Sequence, residues 1–147
     1  MKSQMPEFKR PESVLVVVYT LDGQVLLLQR NDWPDFWQSV TGSLDIDETP
    51  LQAARRELKE ETGLAAFEGM MQEVGESHWF DIYPEFLHRY AKGITQNLEH
   101  VFCFVLDKPT EIAISQEHKS CCWVTKEKAL AMIISSTNKD AIRKYVP

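Results

Sequence analysis

The sequence has few cysteines, no long apolar run and no excess of positive charge. Its three cysteines, Cys103, Cys121 and Cys122, do not form the C-x-x-C spacing of metal or redox sites. The longest apolar stretches, such as residues 14–19, are far too short to cross a bilayer. The polar, proline-interrupted start of the chain lacks the apolar core of a signal peptide. We therefore expect a cytoplasmic protein with reduced thiols and no membrane partner.

The net charge of −6 argues against a general nucleic-acid-binding protein, because such a protein needs a basic face. It does not argue against a small anionic substrate, since bound metal ions and a few local cations can neutralise phosphate groups. The 147 residues contain no repeats, low-complexity segments or linkers, so we expect a single domain over residues 1–147. An apolar content of 44% is enough for one sizeable core.

The most informative segment is GSLDIDETPLQAARRELKEETGL, residues 42–64. Thr49 is a good N-cap, and Pro50 suits the first position of a helix. Gly63 suits the left-handed residue that ends a helix. These signals predict an α-helix over residues 50–62.

Three glutamates, Glu57, Glu60 and Glu61, fall at positions i, i+3 and i+4 of that helix and share one face. Like charges on one stripe repel one another, so the arrangement is best explained by a bound cation. Mg²⁺ prefers carboxylate oxygens and typically bridges to substrate phosphates. The alternative is an acidic helix face that is simply solvated. Gly42, at the end of a predicted strand, allows the backbone to approach a ligand closely.

Read as G-x5-E-x7-R-E-L-x-E-E-x-G-L, the segment resembles the Nudix box at every fixed position. The resemblance implies an α/β fold, an α/β/α sandwich around a mixed β-sheet. It also implies hydrolysis of a diphosphate linked to another group, with Mg²⁺ or Mn²⁺ as cofactor. Metal would be bound by Glu57, Glu60 and Glu61. The loop before the helix would be braced by Arg56 and Glu48.

Six further segments resemble the bacterial dihydroneopterin triphosphate pyrophosphohydrolases of the Nudix family. They are FKRPESVLVVVY, VLLLQR, DFWQSVTGS, LHRYAKGITQN, EHVFCFVL and QEHKSCCWV. This resemblance covers roughly residues 8–145 and implies that 7,8-dihydroneopterin triphosphate is converted to the monophosphate and pyrophosphate in folate synthesis. The partner would thus be a small pterin or nucleoside triphosphate.

The same resemblance implies a further metal ligand at Glu117 and a set of substrate contacts. The predicted substrate residues are Lys9, Arg30, Thr41, Gly42, Phe80, Asp81, Ile82, Tyr83 and Ser135. Lysine and arginine suit phosphate oxygens, and aromatic rings suit a flat pterin. Asp81 is a candidate acceptor for pterin N–H groups. The alternative for each residue is structural: a solvated charge, a core aromatic or a helix-end serine.

Two other functions are compatible with the box. One is a broad (deoxy)nucleoside triphosphate pyrophosphohydrolase, which shares the chemistry and differs in the base pocket. The other is a non-catalytic Nudix binding module, although such modules typically lose box glutamates and none is lost here. Ile46 and Asp47 stand where a more polar, glycine-containing turn is usual in the family. Oligomeric state, the number of metal ions, the general base and the phosphorus attacked stay open.

The rest of the chain has a mixed pattern. A hairpin turn is predicted at residues 22–23. Strands are predicted over residues 13–20, 25–30, 67–76, 77–83, 99–106 and 121–124, and a loop over residues 84–97. Helices are predicted over residues 126–135 and 138–145, with caps at Thr125 and at Thr137 or Asn138.

Overall fold

The computed structural model describes residues 8–147 and contains one seven-stranded mixed β-sheet. The strands are β1 (Glu12–Thr20), β2 (Gln24–Arg30), β3 (Trp37–Gln38), β4 (Val40–Ser43), β5 (Met70–Asp81), β6 (Gln96–Leu106) and β7 (His118–Thr125). The α-helices are α1 (Pro50–Thr62), α2 (Lys126–Met132) and α3 (Ser136–Tyr145). Short 3₁₀ turns occupy Ala66–Glu68 and Pro84–Arg89.

Strand β1 is the central strand of the sheet and is buried on both faces. Its side chains alternate between the faces, as in any strand. Val14, Val16 and Val18 pack in the core beneath α1, whereas Leu15 and Val17 pack in the core beneath α2 and α3. Helices therefore cover both sides of the sheet, and the predicted α/β/α sandwich is confirmed.

The sheet opens because β1 changes its antiparallel partner along its length. Its first half pairs with β4, whereas Tyr19 near its end pairs with Val25 of β2. Strand β2 pairs with β7 along its whole length, and beyond that point it also pairs with β3. On the other side, β1 runs parallel to β6 over its whole length. A cleft of about 1310 Å³ lies where the strands diverge, lined by residues of β1, β3, β4 and β6.

Helix α1 spans the predicted residues, Pro50–Thr62. The Thr49 side chain accepts a hydrogen bond from the Gln52 amide at 3.2 Å, and the Gln52 side chain accepts one from the Thr49 amide at 2.9 Å. This reciprocal capping box satisfies two amides that have no partner inside the helix. Gly63 has a φ of 77° and donates its N–H to the Lys59 carbonyl, which ends the helix.

The prediction of two strands over residues 67–76 and 77–83 is wrong, because one long strand, β5, covers both. Its register against β6 shifts between Glu73 and Glu76, where Gly75 has a φ of 71°. A bulge of this kind breaks the alternation of side chains without ending the strand. In the sequence it therefore resembles a turn.

The C-terminal helices differ from the prediction at their junction. Helix α2 ends at Met132, three residues early. The N-cap of α3 is neither Thr137 nor Asn138 but Ser135, whose hydroxyl accepts a hydrogen bond from the Asn138 amide at 3.3 Å. Ser135, Ser136 and Thr137 are consecutive and all are good caps, so local sequence alone does not select one of them.

All three cysteines are free thiols. Cys121 and Cys122 pack against opposite cores, as expected for neighbours in a strand. Burial raises the pKa of Cys103 to about 12, which disfavours its thiolate as a nucleophile. No α-helix within residues 8–147 is long and apolar enough to span a membrane.

Candidate active site

Two glutamates of α1, Glu57 and Glu61, are buried although they carry acidic groups. The Glu57 carboxylate lies directly against Gly42 of β4. A Cβ atom placed on Gly42 would be 2.2 Å from Glu57 Cδ and 2.3 Å from its Oε1. The sequence predicts a close approach to Gly42, and in the structure the Glu57 carboxylate makes it. Any larger residue at position 42 would displace this carboxylate.

Glu61 is 1% exposed, and neither of its carboxylate oxygens has a hydrogen-bond partner among the described residues. His118 Nε2 is 3.6 Å from Glu61 Oε1, too far for a hydrogen bond. Burial, together with the neighbouring Glu57, raises the pKa of Glu61 well above its ordinary value. Burial also lowers the pKa of His118, so that imidazole is a poor counter-ion. An orphaned buried carboxylate is costly, and a divalent cation fits this oxygen-rich site.

Arg56 ties the preceding loop to the helix. Its Nε and Nη2 donate to the two carboxylate oxygens of Glu48, each at 2.8 Å, and Nη2 also donates to the Ser43 carbonyl at 3.0 Å. Its Nη1 donates to Glu57 Oε1 at 2.7 Å. Bidentate arginine–carboxylate pairs are strong and directional. Arg56 therefore fixes the loop, the end of β4 and the Glu57 carboxylate relative to one another.

The loop keeps a left-handed turn without a glycine. Asp47 has a φ of 63°, a region that aspartate tolerates better than most residues. Glu48 Oε1 accepts a hydrogen bond from the Asp45 amide at 2.8 Å, which closes the turn. Ile46 is 89% exposed and lines the mouth of the cleft.

The other two predicted metal ligands reach the same cleft as Glu57. Glu60 is exposed, and its Oε2 accepts a hydrogen bond from Arg56 Nη1 at 3.2 Å. Glu117 lies in the loop before β7, where the Asn31 amide donates to its carbonyl at 3.1 Å. Within the described part of the chain, no three acidic, histidine or cysteine side chains form a ready-made metal cluster. Joint coordination by these glutamates therefore requires side-chain movement.

Three cations, Lys9, Arg30 and Arg89, line the cleft and are called here the cation group. Asp32 accepts two hydrogen bonds of 2.7 Å from Arg30 and one of 2.8 Å from Arg89. The hydrogen bonds from Arg30 and the charges of both arginines lower the pKa of Asp32 to about 2. Desolvation in the cleft and the Arg89 charge lower the pKa of Lys9. Two arginines around one carboxylate leave a local positive excess, to which Lys9 of the same cleft adds, and this charge suits a polyphosphate.

An aromatic cluster, whose rings are tilted or edge-on to one another, lies beside the cation group. It consists of Trp33, Phe36, Tyr83 and Phe86, with ring centroids 5.0 to 6.5 Å apart. The guanidinium carbons of Arg30 and Arg89 lie 4.5 and 5.2 Å from the centroid of the Phe86 ring. The cleft therefore combines aromatic rings with cations, groups that can contact a planar ring and phosphate oxygens respectively.

Most of the predicted substrate residues line the cleft: Lys9, Arg30, Thr41, Gly42, Phe80, Tyr83 and Ser135. The Thr41 hydroxyl donates to the Val14 carbonyl at 2.9 Å, so it is already engaged. Two predicted residues do not line the cleft. Asp81 is exposed and accepts a hydrogen bond from Gln96 at 3.1 Å, whereas Ile82 is buried.

Among the residues of the cleft wall that sequence reasoning missed are Ser13, Asp32, Phe86, Arg89 and Glu99. Phe86 and Arg89 belong to a 3₁₀ turn inside the segment predicted to be a loop. Their only signal in the sequence was the family-like stretch LHRYAKGITQN, which includes Arg89.

A family model described as a NUDIX domain matches residues 9–145, nearly the whole chain. The chain belongs to the NUDIX family. This NUDIX chain is 46% identical over 145 residues to the dihydroneopterin triphosphate diphosphatase of Haemophilus influenzae, covering 97% of this chain and 91% of the relative. It is 42% identical over 142 residues to the dihydroneopterin triphosphate diphosphatase of Escherichia coli K12, and this match covers 95% of this chain and 94% of the relative.

A solved structure of the E. coli dihydroneopterin triphosphate pyrophosphohydrolase superimposes on the NUDIX chain with a TM-score of 0.90. The two are 42% identical, and the match covers 95% of this chain and 97% of the other. The predicted family and the predicted hydrolase class are confirmed. NUDIX hydrolases generally use divalent metal ions, which agrees with the orphaned carboxylate of Glu61.

Replacing Gly42 by alanine is expected to weaken metal binding, because the new Cβ would occupy the space of the Glu57 carboxylate. We expect the affinity for Mn²⁺, measured by electron paramagnetic resonance, to fall roughly tenfold or more. The thermal unfolding midpoint controls for loss of fold. Unchanged Mn²⁺ affinity in a folded variant would contradict a role for this contact.

Replacing Arg56 by lysine is expected to reduce hydrolysis strongly, because a point charge cannot reproduce its hydrogen bonds to Glu48, Ser43 and Glu57. We expect kcat/KM to fall by at least about tenfold. Arg55→Lys is the matched control, since Arg55 is exposed on the same helix. Equal effects of the two substitutions would show that the Arg56 network does not order the site.

Proposed function

We propose that this chain hydrolyses 7,8-dihydroneopterin triphosphate to dihydroneopterin monophosphate and pyrophosphate, with Mg²⁺ as cofactor, in folate synthesis. The substrate is suggested by the two relatives named for this compound, which each match at least 95% of the chain. The reaction class rests on one observation above all, the buried carboxylate of Glu61, whose oxygens have no partner among the described residues. Such a group is explained by a cation that completes the site.

Glu57, Glu60, Glu61 and Glu117 would hold Mg²⁺. When bound, this ion neutralises phosphate charge and lowers the pKa of a water ligand. Arg56 keeps the Glu57 carboxylate in place through its 2.7 Å hydrogen bond. Arg56 therefore acts as a positioning residue, because it orients a ligand and does not bind the metal itself.

The cation group binds the triphosphate, and Asp32 holds two of its members, Arg30 and Arg89, in fixed orientations. Phe36 and Tyr83 of the aromatic cluster line the cleft and provide an apolar surface for the ring of the substrate. A water oxygen bonds to the α phosphorus, and its proton passes to the Glu57 and Glu61 carboxylate pair. The bridging bond between the α and β phosphates breaks, and pyrophosphate leaves with the electron pair.

We further propose that the chain acts as a single domain on a small-molecule triphosphate in the cytoplasm. The three free thiols are consistent with a reducing compartment. The match of the NUDIX model to residues 9–145 leaves little of the chain for a second domain. No nucleic-acid partner is invoked, since the net charge is −6.

Pyrophosphate release with Mg²⁺ tests the substrate directly. We expect kcat/KM for 7,8-dihydroneopterin triphosphate to exceed that for each of the eight common NTPs and dNTPs by at least about tenfold. The physical reason is the fit of a fused pair of six-membered rings in the cleft, because purines and pyrimidines differ from a pterin in ring size and would fit less well. A nucleotide hydrolysed equally well would instead support a broad nucleoside triphosphate pyrophosphohydrolase.

Replacing Glu57 or Glu61 by glutamine should cut kcat by at least about 100-fold, because each change removes a charged ligand and a proton acceptor. Glu61→Gln should also keep or raise the unfolding midpoint of metal-free protein, because it removes the cost of burying an ionisable group without a partner. Glu127→Gln, an exposed change on α2, is the matched control. Normal kcat in both site variants would refute the metal-site assignment.

A further inference from the structure

Glu99 is a buried carboxylate that the proposed hydrolysis does not use. It lies on β6 and lines the cleft, yet its side chain is only 6% exposed. In the parallel pairing of β1 with β6, Glu99 lies opposite Ser13. Two residues further along each strand, Leu15 lies opposite Val101. Because side chains two residues apart share a face, Glu99 and Ser13 lie on the face covered by α2 and α3. Glu57 covers Gly42 on the opposite face.

One oxygen of Glu99 is fixed within the protein and the other is not. His78 Nε2 lies 2.9 Å from Glu99 Oε1, and the two residues are register partners on β5 and β6. This hydrogen bond raises the pKa of His78, so the imidazole is a good donor. Among residues 8–147 none donates to Oε2. A carboxylate oxygen has two lone pairs, so Oε1 can also accept a second hydrogen bond.

Ser13 places a hydroxyl beside this carboxylate. The fully buried Asn97 donates from Nδ2 to Ser13 Oγ at 2.6 Å. With its oxygen accepting that bond, Ser13 keeps its own hydrogen for a further acceptor. Neighbouring strands are about 4.8 Å apart. The two carboxylate oxygens of Glu99, which are acceptors, therefore lie beside the Ser13 hydroxyl, which is a donor. The rings of Phe36, Phe80 and Tyr83 line the same cleft, so a planar ligand would be held edge-on to them or stacked.

We propose that Glu99 is the residue that selects the ring of the substrate. Its carboxylate accepts hydrogen bonds from the ring N–H and the adjacent amino group of a 2-amino-4-oxopyrimidine, and the Ser13 hydroxyl donates to the 4-oxo oxygen. This inference rests on the proposed function, because a pterin carries that edge. Guanine carries the same edge, whereas adenine, cytosine and uracil do not present two adjacent donors.

Glu99 suits this role better than Asp81, which the sequence suggested for pterin N–H groups. Asp81 is exposed, bound to Gln96 and outside the main cleft. Glu99 is shielded from solvent. In such an environment a hydrogen bond to a charged group discriminates more strongly between ligands than it does in water. A base that lacks the paired donors would leave the free oxygen of Glu99 buried and unsatisfied.

The test is Glu99→Gln, which keeps one oxygen for His78 and replaces the other acceptor with an amide donor. We expect kcat/KM to fall roughly 10- to 100-fold for dihydroneopterin triphosphate and for GTP, with little change for ATP. Ser13→Ala should give a smaller loss with the same selectivity. Glu73→Gln, an exposed change on the neighbouring strand β5, is the matched control and should alter none of these values.

A phosphate-free ligand separates recognition from hydrolysis. Neopterin binding, followed by its fluorescence, should weaken in Glu99→Gln and not in Glu73→Gln, with metal absent. Loss of the pterin and GTP rates without loss of the ATP rate supports the proposal. Equal losses for all three substrates, or none, would overturn it, as would unchanged neopterin binding.

The same panel distinguishes failure of the proposed function from failure of this inference. If the unmodified protein does not hydrolyse the pterin substrate but does hydrolyse nucleotides, the proposed function fails. The role of Glu99 is then decided by comparing the change in kcat/KM for GTP with that for ATP in the Glu99→Gln variant. If the protein hydrolyses none of them, the neopterin titration still decides the role of Glu99.

Discussion

The contact between the Glu57 carboxylate and Gly42 determines the geometry of the site. Burying this carboxylate requires that α1 lie very close to β4, and only a residue without Cβ allows that approach. Apolar packing of Leu58 and Ala54 against the sheet holds the helix at this distance. The Thr49 capping box fixes where the helix begins, and hence which residues face the strand. The position of the acidic residues therefore depends on apolar packing and helix capping as well as on the ion pair between Arg56 and Glu57.

The carboxylates of the site differ in whether a cation of the protein compensates them. Arg56 compensates Glu57 and Glu48 by direct hydrogen bonds, whereas Glu61 has no cationic partner within hydrogen-bonding distance among the described residues. A site that compensated both buried carboxylates with protein cations would leave little affinity for a metal ion. One neutralised and one uncompensated carboxylate give an ordered site that still favours an added positive charge. The net charge of −6 is no obstacle to an anionic substrate, because the cation group acts locally.

The sequence predicts local features of this fold far better than contacts between distant segments. The bounds of α1 follow from Thr49, Pro50 and Gly63, all within a few residues of the helix ends. The sequence predicts two strands where β5 is one, because a strand is recognised by an alternation that the bulge interrupts. The α3 cap was misplaced because neighbouring residues offer equivalent hydroxyls.

The same limit applies to the site. The three box glutamates share a helix, so their spacing alone brings them to one face. Asp32 and Arg89 are far apart in the sequence, and the 3₁₀ turn after β5 brings them together. Likewise, nothing in the local pattern around Glu99 indicates that it lines a cleft, because burial of a strand residue depends on its neighbours in the sheet.

Strand β1 explains how one cleft can combine a common reaction with a selective pocket. Consecutive residues of a strand face opposite sides of the sheet. Val14 pairs with Gly42 beneath Glu57, whereas Ser13, one residue earlier, pairs with Glu99 on the other face. A shift of one residue in this register would exchange the two environments. Substitutions on the face of Ser13 can therefore change the ring that binds without touching the helix that carries the acidic groups. This separation is why the box indicates the reaction class but not the substrate.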